Sequence, residues 1–107
     1  MSELVKIVVT VPEAEADKLR QAIGEAGGGQ VANYIHTSFS VKGVGRFLPR
    51  AGANPTIGKV GRAEQVDEER IEITCDRDKA ALVVEAIRAN HSYEEPAIDI
   101  YPLLSLG

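Results

Sequence analysis

Tryptophan is absent from this sequence, cysteine occurs once, histidine twice, and the aromatic side chains are only Tyr34, Phe39, Phe47, Tyr93 and Tyr101. A core built from it must therefore be aliphatic. The lone Cys75 excludes a disulfide within the chain and cannot supply a zinc knuckle by itself. Its place on the apolar side of a period-two run makes it an inert core thiol. Two histidines would leave a dinuclear metal centre dependent on carboxylates, and these are scattered over solvent-facing positions. Basic residues are also in deficit: 12 Lys and Arg face 16 Asp and Glu, a formal charge of −4. That balance argues against a nucleic-acid partner, which calls for a strongly basic domain or face. No apolar run approaches the ~20 residues of a membrane span. Residues 1–11 lack the pattern of a signal peptide. The expectation is a cytosolic chain with no membrane partner, forming one domain over residues 1–107.

What is present has clear periodicity. Leu4 to Val11 alternates with period two, placing Val5, Ile7, Val9 and Val11 on one apolar face. Pro12 and three acids (Glu13, Glu15, Asp17) suit a helix start. Ala16, Leu19, Ile23 and Ala26 then recur at helical spacing until Gly27-Gly28-Gly29 ends the run. Val31 to Lys42 reads as a second strand, with Val31, Ile35, Phe39 and Val41 on its apolar side. Tyr34, His36, Ser38 and Ser40 form the semi-polar side. Glu64 to Cys75 reads as a third strand, with Ile71, Ile73 and Cys75 inward. Asp76 or Asp78 caps a second helix whose stripe is Ala80, Val83, Val84 and Ile87. Ala97 to Leu103 closes the series, with Ile98 and Ile100 inward. The order βαββαβ, with right-handed crossovers, predicts an α+β ferredoxin-like sandwich with both helices on one face of an antiparallel sheet. The open face would carry Lys6, Val8, Tyr34, His36, Ser38, Arg70, Glu72, Asp99 and Tyr101, and Tyr34, Tyr101 and Val8 there suit self-association.

Two stretches carry candidate chemistry. The first is residues 43–62, GVGRFLPRAGANPTIGKVGR, which holds Arg46, Arg50, Lys59 and Arg62 and no acid. Read as one long connection between the middle strands, it exceeds the usual length of an unstructured loop, and such loops are usually functional or disordered. Phe47, Leu48, Ile57 and Val60 favour order. Gly52 and Gly58-Lys59 are one residue too far apart for a Walker P-loop, and Val60 stands where its hydroxyl would be. Leu48 stands where a dinucleotide fingerprint requires its third glycine. What remains is an anion-attracting loop centred on Arg46, Arg50 and Lys59, beside the plainer reading of a structured connection. The second stretch is His91-Ser92-Tyr93-Glu94-Glu95-Pro96. Its histidine and carboxylates suit metal binding or proton transfer, yet a helix-end histidine is also favoured by the helix dipole. There Tyr93 would pack its ring and hydrogen-bond its hydroxyl. No Ser-His-Asp or Cys-His set assembles at a recognisable spacing, so no catalytic residue is expected.

Several segments together resemble a known family: NYIHTSF at 33–39, GVGRFLP at 43–49, GANPTIG at 52–58, EQVDEERIE at 64–72 and HSYEEPAIDIYPL at 91–103. They are similar to the YqfO-type domain inserted in bacterial members of the Nif-three-like (NGG-one-interacting-factor-like) family. The resemblance covers almost the whole chain. It implies a fold like that of CutA and the PII signalling proteins, and a homotrimer. CutA proteins have a similar H-x-Y-E-x-P turn, and PII-like trimers bind small molecules between subunits and touch partners through a long β2–β3 loop. The metal-bearing halves of the larger family have no counterpart here, so the resemblance brings no catalytic residue. Thr37 stands where family members often have cysteine. The expected function is a non-catalytic, small-molecule-binding or regulatory module. Arg46, Phe47, Arg50, Asn54, Lys59, Tyr93 and Glu94 would bind an anionic small molecule or a protein partner. The alternatives are a CutA-like metal site using His36, His91 and Glu95, and an accessory domain of a metal-dependent hydrolase supplied by another chain.

Overall fold

In the computed structural model, which describes residues 3–106, β1 (Leu4–Pro12) leads through a 3₁₀ turn at Glu13–Glu15 into α1 (Ala16–Glu25). Then come β2 (Phe39–Phe47), β3 (Glu64–Asp76), α2 (Arg77–Ala89) and β4 (Ile98–Pro102). The sheet order is β2-β3-β1-β4, with each neighbouring pair antiparallel. This is the ferredoxin-like arrangement expected from the element order.

The period-two and helical stripes account for the core. Val5, Ile7, Val9 and Val11 of β1 share a face with Ile71, Ile73 and Cys75 of β3. Against that face pack Ala16, Leu19 and Ile23 of α1 and Ala80, Val83 and Ile87 of α2. Fully burying a large aliphatic side chain contributes about 1.5–3 kcal/mol, so this aliphatic layer holds the sandwich without tryptophan. Burial pushes the Cys75 thiol up from its ordinary value, as does the nearby Asp76 charge. Ile98 packs on the core, whereas Ile100 is half-exposed because β4 is an edge strand and α2 covers it only in part.

The second strand departs from expectation. Residues 31–38 are not in the sheet: Val31 and Tyr34 exchange backbone hydrogen bonds in a tight turn, and Ala32 and His36 have φ of 51° and 58°. Left-handed backbone cannot continue a strand. β2 instead starts at Phe39 and runs to Phe47, so Gly43–Phe47 belongs to the ladder and the connection covers residues 48–63. The strand's faces are also inverted. Ser40 lies opposite the core residue Ile71 and accepts from Arg20, which also donates to Glu69 at 2.6 Å. Phe39 and Val41 lie opposite Glu72 and Arg70 on the open face, and Phe39 is 63% exposed. Tyr34, His36 and Ser38 leave the open face, and Phe39 and Val41 take their place beside Val8 and Tyr101.

Candidate functional site

The β2–β3 ladder outruns the rest of the sheet. β1 ends at Pro12, opposite Glu68, but β2 and β3 stay paired as far as Phe47 opposite Glu64. The molecule is elongated, with extents of 49 × 22 × 22 Å. A lone two-stranded ribbon is marginally stable in water, and here residues 48–63 fold back to brace it. The Asn54 N–H donates to the Glu94 carboxylate (3.1 Å to Oε1), and the Thr56 hydroxyl donates to the Ser92 carbonyl. Ser92 in turn donates from its N–H and its hydroxyl to Glu15, at 3.1 and 2.7 Å. The connection is thus tied to the 91–97 turn, and that turn to the start of the first helix.

Between arm, connection and turn lies a cleft of about 760 Å³. Its walls are mostly apolar, with Phe47, Leu48, Ile57 and the Tyr93 ring among them. Phe47 and Tyr93 meet edge to face, with centroids 6.1 Å apart. The charged groups on the walls are Arg46, Arg50, Glu68, Glu94 and Glu95. The cleft is therefore of mixed charge, where the 43–62 stretch taken alone is basic.

Glu68 is the residue that the sequence concealed. It stands in an acid-rich run yet is only 7% exposed. The Tyr93 hydroxyl donates to its Oε2 at 2.7 Å. Its carboxylate lies across Gly45: a Cβ there would stand 2.1 Å from Oε1. A side chain at 45 would push the Glu68 carboxylate from this position, so glycine here keeps it in place although glycine ordinarily weakens a strand. Burial first, then the Glu68 hydrogen bond and charge, raises the Tyr93 hydroxyl well above its ordinary value. A group whose folded pKa is raised contributes stability below its unfolded value, here about 10, and loses that contribution as pH rises further. Tyr93→Phe removes the one donor to Glu68 among the described residues and should destabilise the chain by about 1–2 kcal/mol near neutrality. Above pH ~10 the gap between wild type and variant should narrow. Urea midpoints across that range measure it, and a constant gap would contradict the assignment.

His91 is buried, and both of its ring nitrogens are engaged. Nε2–H donates to the Thr10 carbonyl at 2.7 Å, and Nδ1 accepts from the Tyr93 N–H at 3.2 Å. The ring also lies against Tyr93, with centroids 5.0 Å apart. His36 is elsewhere, exposed beside Gly24 of α1. The structure thus does not bring His36, His91 and Glu95 together within one chain, and no group of three candidate metal ligands occurs among the described residues. Arg46, Phe47, Arg50, Tyr93, Glu94 and Glu95 do meet at the cleft. Asn54 contributes its backbone N–H as a brace, and Lys59 lies outside the walls. Sequence reasoning missed Glu15 as well as Glu68. The period-two continuation through Glu68, Arg70 and Glu72 would have put Glu68 on the open face, but nothing local announces that a distant turn covers it.

No family model matches the chain. It is 45% identical over 104 residues to a protein of Halalkalibacterium halodurans described as a GTP cyclohydrolase 1 type 2 homolog, covering 97% of this chain and 28% of that protein. The chain therefore spans little more than a quarter of the length of such curated relatives. Among solved structures, a Bacillus cereus protein related to NIF3 superposes with a TM-score of 0.83 at 40% identity, over 95% of this chain and 26% of that one. CutA from Archaeoglobus fulgidus, a periplasmic divalent cation tolerance protein, gives a TM-score of 0.67 at 20% identity, over 94% and 83% of the two chains. GlnK of Bacillus subtilis gives 0.65 at 18%, over 95% and 86%. Over nearly its whole length the chain is similar to one segment of these GTP cyclohydrolase 1 type 2 homologs and of the NIF3-related protein, and its fold is that of CutA and GlnK.

Proposed function

We propose that this chain is a non-catalytic binding module whose ligand, an anionic small molecule or an anionic group of a protein partner, enters the cleft between the 48–63 connection and the 91–97 turn. The observation that carries the proposal is the state of Arg46 and Arg50. Both line the cleft, and neither is paired with a carboxylate among the described residues. Unpaired guanidiniums beside apolar and aromatic walls match the usual make-up of a small-molecule site, and guanidinium geometry suits carboxylate or phosphate. The bracing through Glu94, Ser92 and Glu15 preorganises the walls, which lowers the ordering cost of binding.

The module works as a homotrimer in this reading. The open sheet face carries Phe39, Val41 and Tyr101 in water in the single chain, and a surface of that kind is suited to burial between copies. Only monomer in sedimentation at micromolar concentration would remove the trimer. A buried free thiol suits a reducing cytosol. A second reading draws on the match to one quarter of proteins described as GTP cyclohydrolase homologs: the chain would then serve as an accessory to a metal-dependent hydrolase.

Thermal shift against nucleotides, phosphorylated metabolites and divalent metals tests the binding reading. A ligand at about 100 times its dissociation constant adds about 2.7 kcal/mol. Stabilisation by an anion that is lost in the double variant Arg46→Ala/Arg50→Ala is the expected result. Metal-only stabilisation would favour the CutA-like alternative, and silence across the panel would overturn the small-molecule reading and leave a structural or protein-partner role.

A further inference from the structure

The cleft joins an open carboxylate oxygen on a largely buried residue to unpaired bases, and that combination selects a class of ligand; the inference rests on the binding reading above. Glu68 Oε2 takes the Tyr93 hydroxyl, whereas no donor among the described residues reaches Oε1. The residue as a whole is more than nine-tenths buried, yet it lines the cleft. No fully buried side-chain oxygen among the described residues lacks a partner, so Oε1, which takes no donor, is reachable from the cleft and keeps its acceptor sites open to a group that enters there. Arg46 and Arg50 line the same cleft with the opposite need. A simple anion would suit the arginines and be repelled by Glu68. A simple cation would reverse the problem.

We propose that the cleft takes a compact zwitterion. A cationic, N–H-rich head, such as a guanidinium, an amidine or an amino-substituted ring, donates to Glu68 Oε1. An anionic tail, carboxylate or phosphate, is held by Arg46 and Arg50. A flat apolar body lies against Phe47 and Tyr93. Tyr93 acts as a positioning residue, fixing the Glu68 carboxylate so that its second oxygen stays turned to the ligand. Gly45 leaves the space that this orientation needs.

The probe is 4-guanidinobenzoate, titrated calorimetrically beside benzoate, which lacks the head, and phenylguanidine, which lacks the tail. The zwitterion should bind saturably and at least about tenfold more tightly than either half, a difference of about 1.4 kcal/mol. In Glu68→Gln, which keeps the size and the acceptor for Tyr93, its advantage over benzoate should vanish. In Arg46→Ala/Arg50→Ala its advantage over phenylguanidine should vanish. Unchanged urea midpoints establish that each variant is folded, with Glu68→Asp as a second test of the carboxylate if Glu68→Gln is not. Equal binding of benzoate and 4-guanidinobenzoate, or no saturable heat from the zwitterion at about 10 mM, overturns the ligand class. Inorganic pyrophosphate separates the two levels of inference. If it binds through the arginines while the zwitterion does not, the cleft still binds anions and only this class fails; if it too is silent, both fail.

Discussion

Gly29→Ala should destabilise the chain by roughly 3 kcal/mol or more, placing it in the small group of single changes with a large effect. Gly29 has φ of +78°, a conformation in which a Cβ is strained. Worse, a Cβ built there would stand 2.3 Å from the Thr37 carbonyl oxygen and 2.7 Å from the Thr37 nitrogen. These are backbone atoms and cannot swing aside as a side-chain tip can. Thr37 sits so close because its N–H and its hydroxyl both donate to the Gly29 carbonyl, at 3.0 and 2.8 Å. The Gly29 N–H in turn donates to Thr74 of β3. A methyl group would therefore add backbone strain of about 1–2 kcal/mol and break hydrogen bonds worth about 1 kcal/mol each. The control is Gly43→Ala, where an added Cβ meets nothing within 4 Å; it should change stability by less than about 0.5 kcal/mol. Urea unfolding with an unchanged m-value reads both. Similar midpoints for the two variants would mean that the 30–38 excursion is not anchored at Gly29.

That same excursion marks the limit of what the sequence discloses. β1, β3 and the two helices are legible because a sustained stripe of aliphatics leaves one consistent way to bury them: Val5 to Val11 and Ile71 to Cys75 at period two, Ala16 to Ile23 and Ala80 to Ile87 at helical spacing. Val31 to Ile35 has the composition of a strand but no partner to pair with, and a two-residue reversal at Ala32-Asn33 is enough to remove it from the sheet. Once it is removed, the inside and outside of β2 exchange, since a period of two makes any error of one residue complete. The glycines at 43 and 45 concealed the end of that strand for a related reason. Glycine is depleted in strands, but at 45 the space that a side chain would take is filled by the Glu68 carboxylate from the neighbouring strand. Of the cleft, Arg46, Arg50 and the 91–96 turn announced themselves through charge and punctuation. Glu68 and Glu15 did not, because their roles come from the return of a distant segment over them, and no window of sequence contains both partners.

His91→Ala should cost about 2–4 kcal/mol, even in metal-free buffer with a chelator present. The ladder between β1 and β4 ends at Val9 opposite Ile98, and the next carbonyl, that of Thr10, is taken up by His91 Nε2–H instead. Nδ1 meanwhile accepts from the Tyr93 N–H. Removing the imidazole orphans one acceptor and one donor in a partly buried place, at about 1–3 kcal/mol for each group that water does not reach. It also removes the ring packed on Tyr93. Because Tyr93 reaches Glu68 and Phe47 from this turn, the loss should spread to the cleft: the Tyr93 amide should exchange faster, and any ligand found for the cleft should bind more weakly. A histidine held ready for a metal would behave differently, since its loss would leave the metal-free protein unchanged and abolish a metal-dependent stabilisation. The two roles thus predict opposite results in the same buffer. A ring whose two nitrogens are each already matched to a backbone group argues that this position was built to fasten the turn.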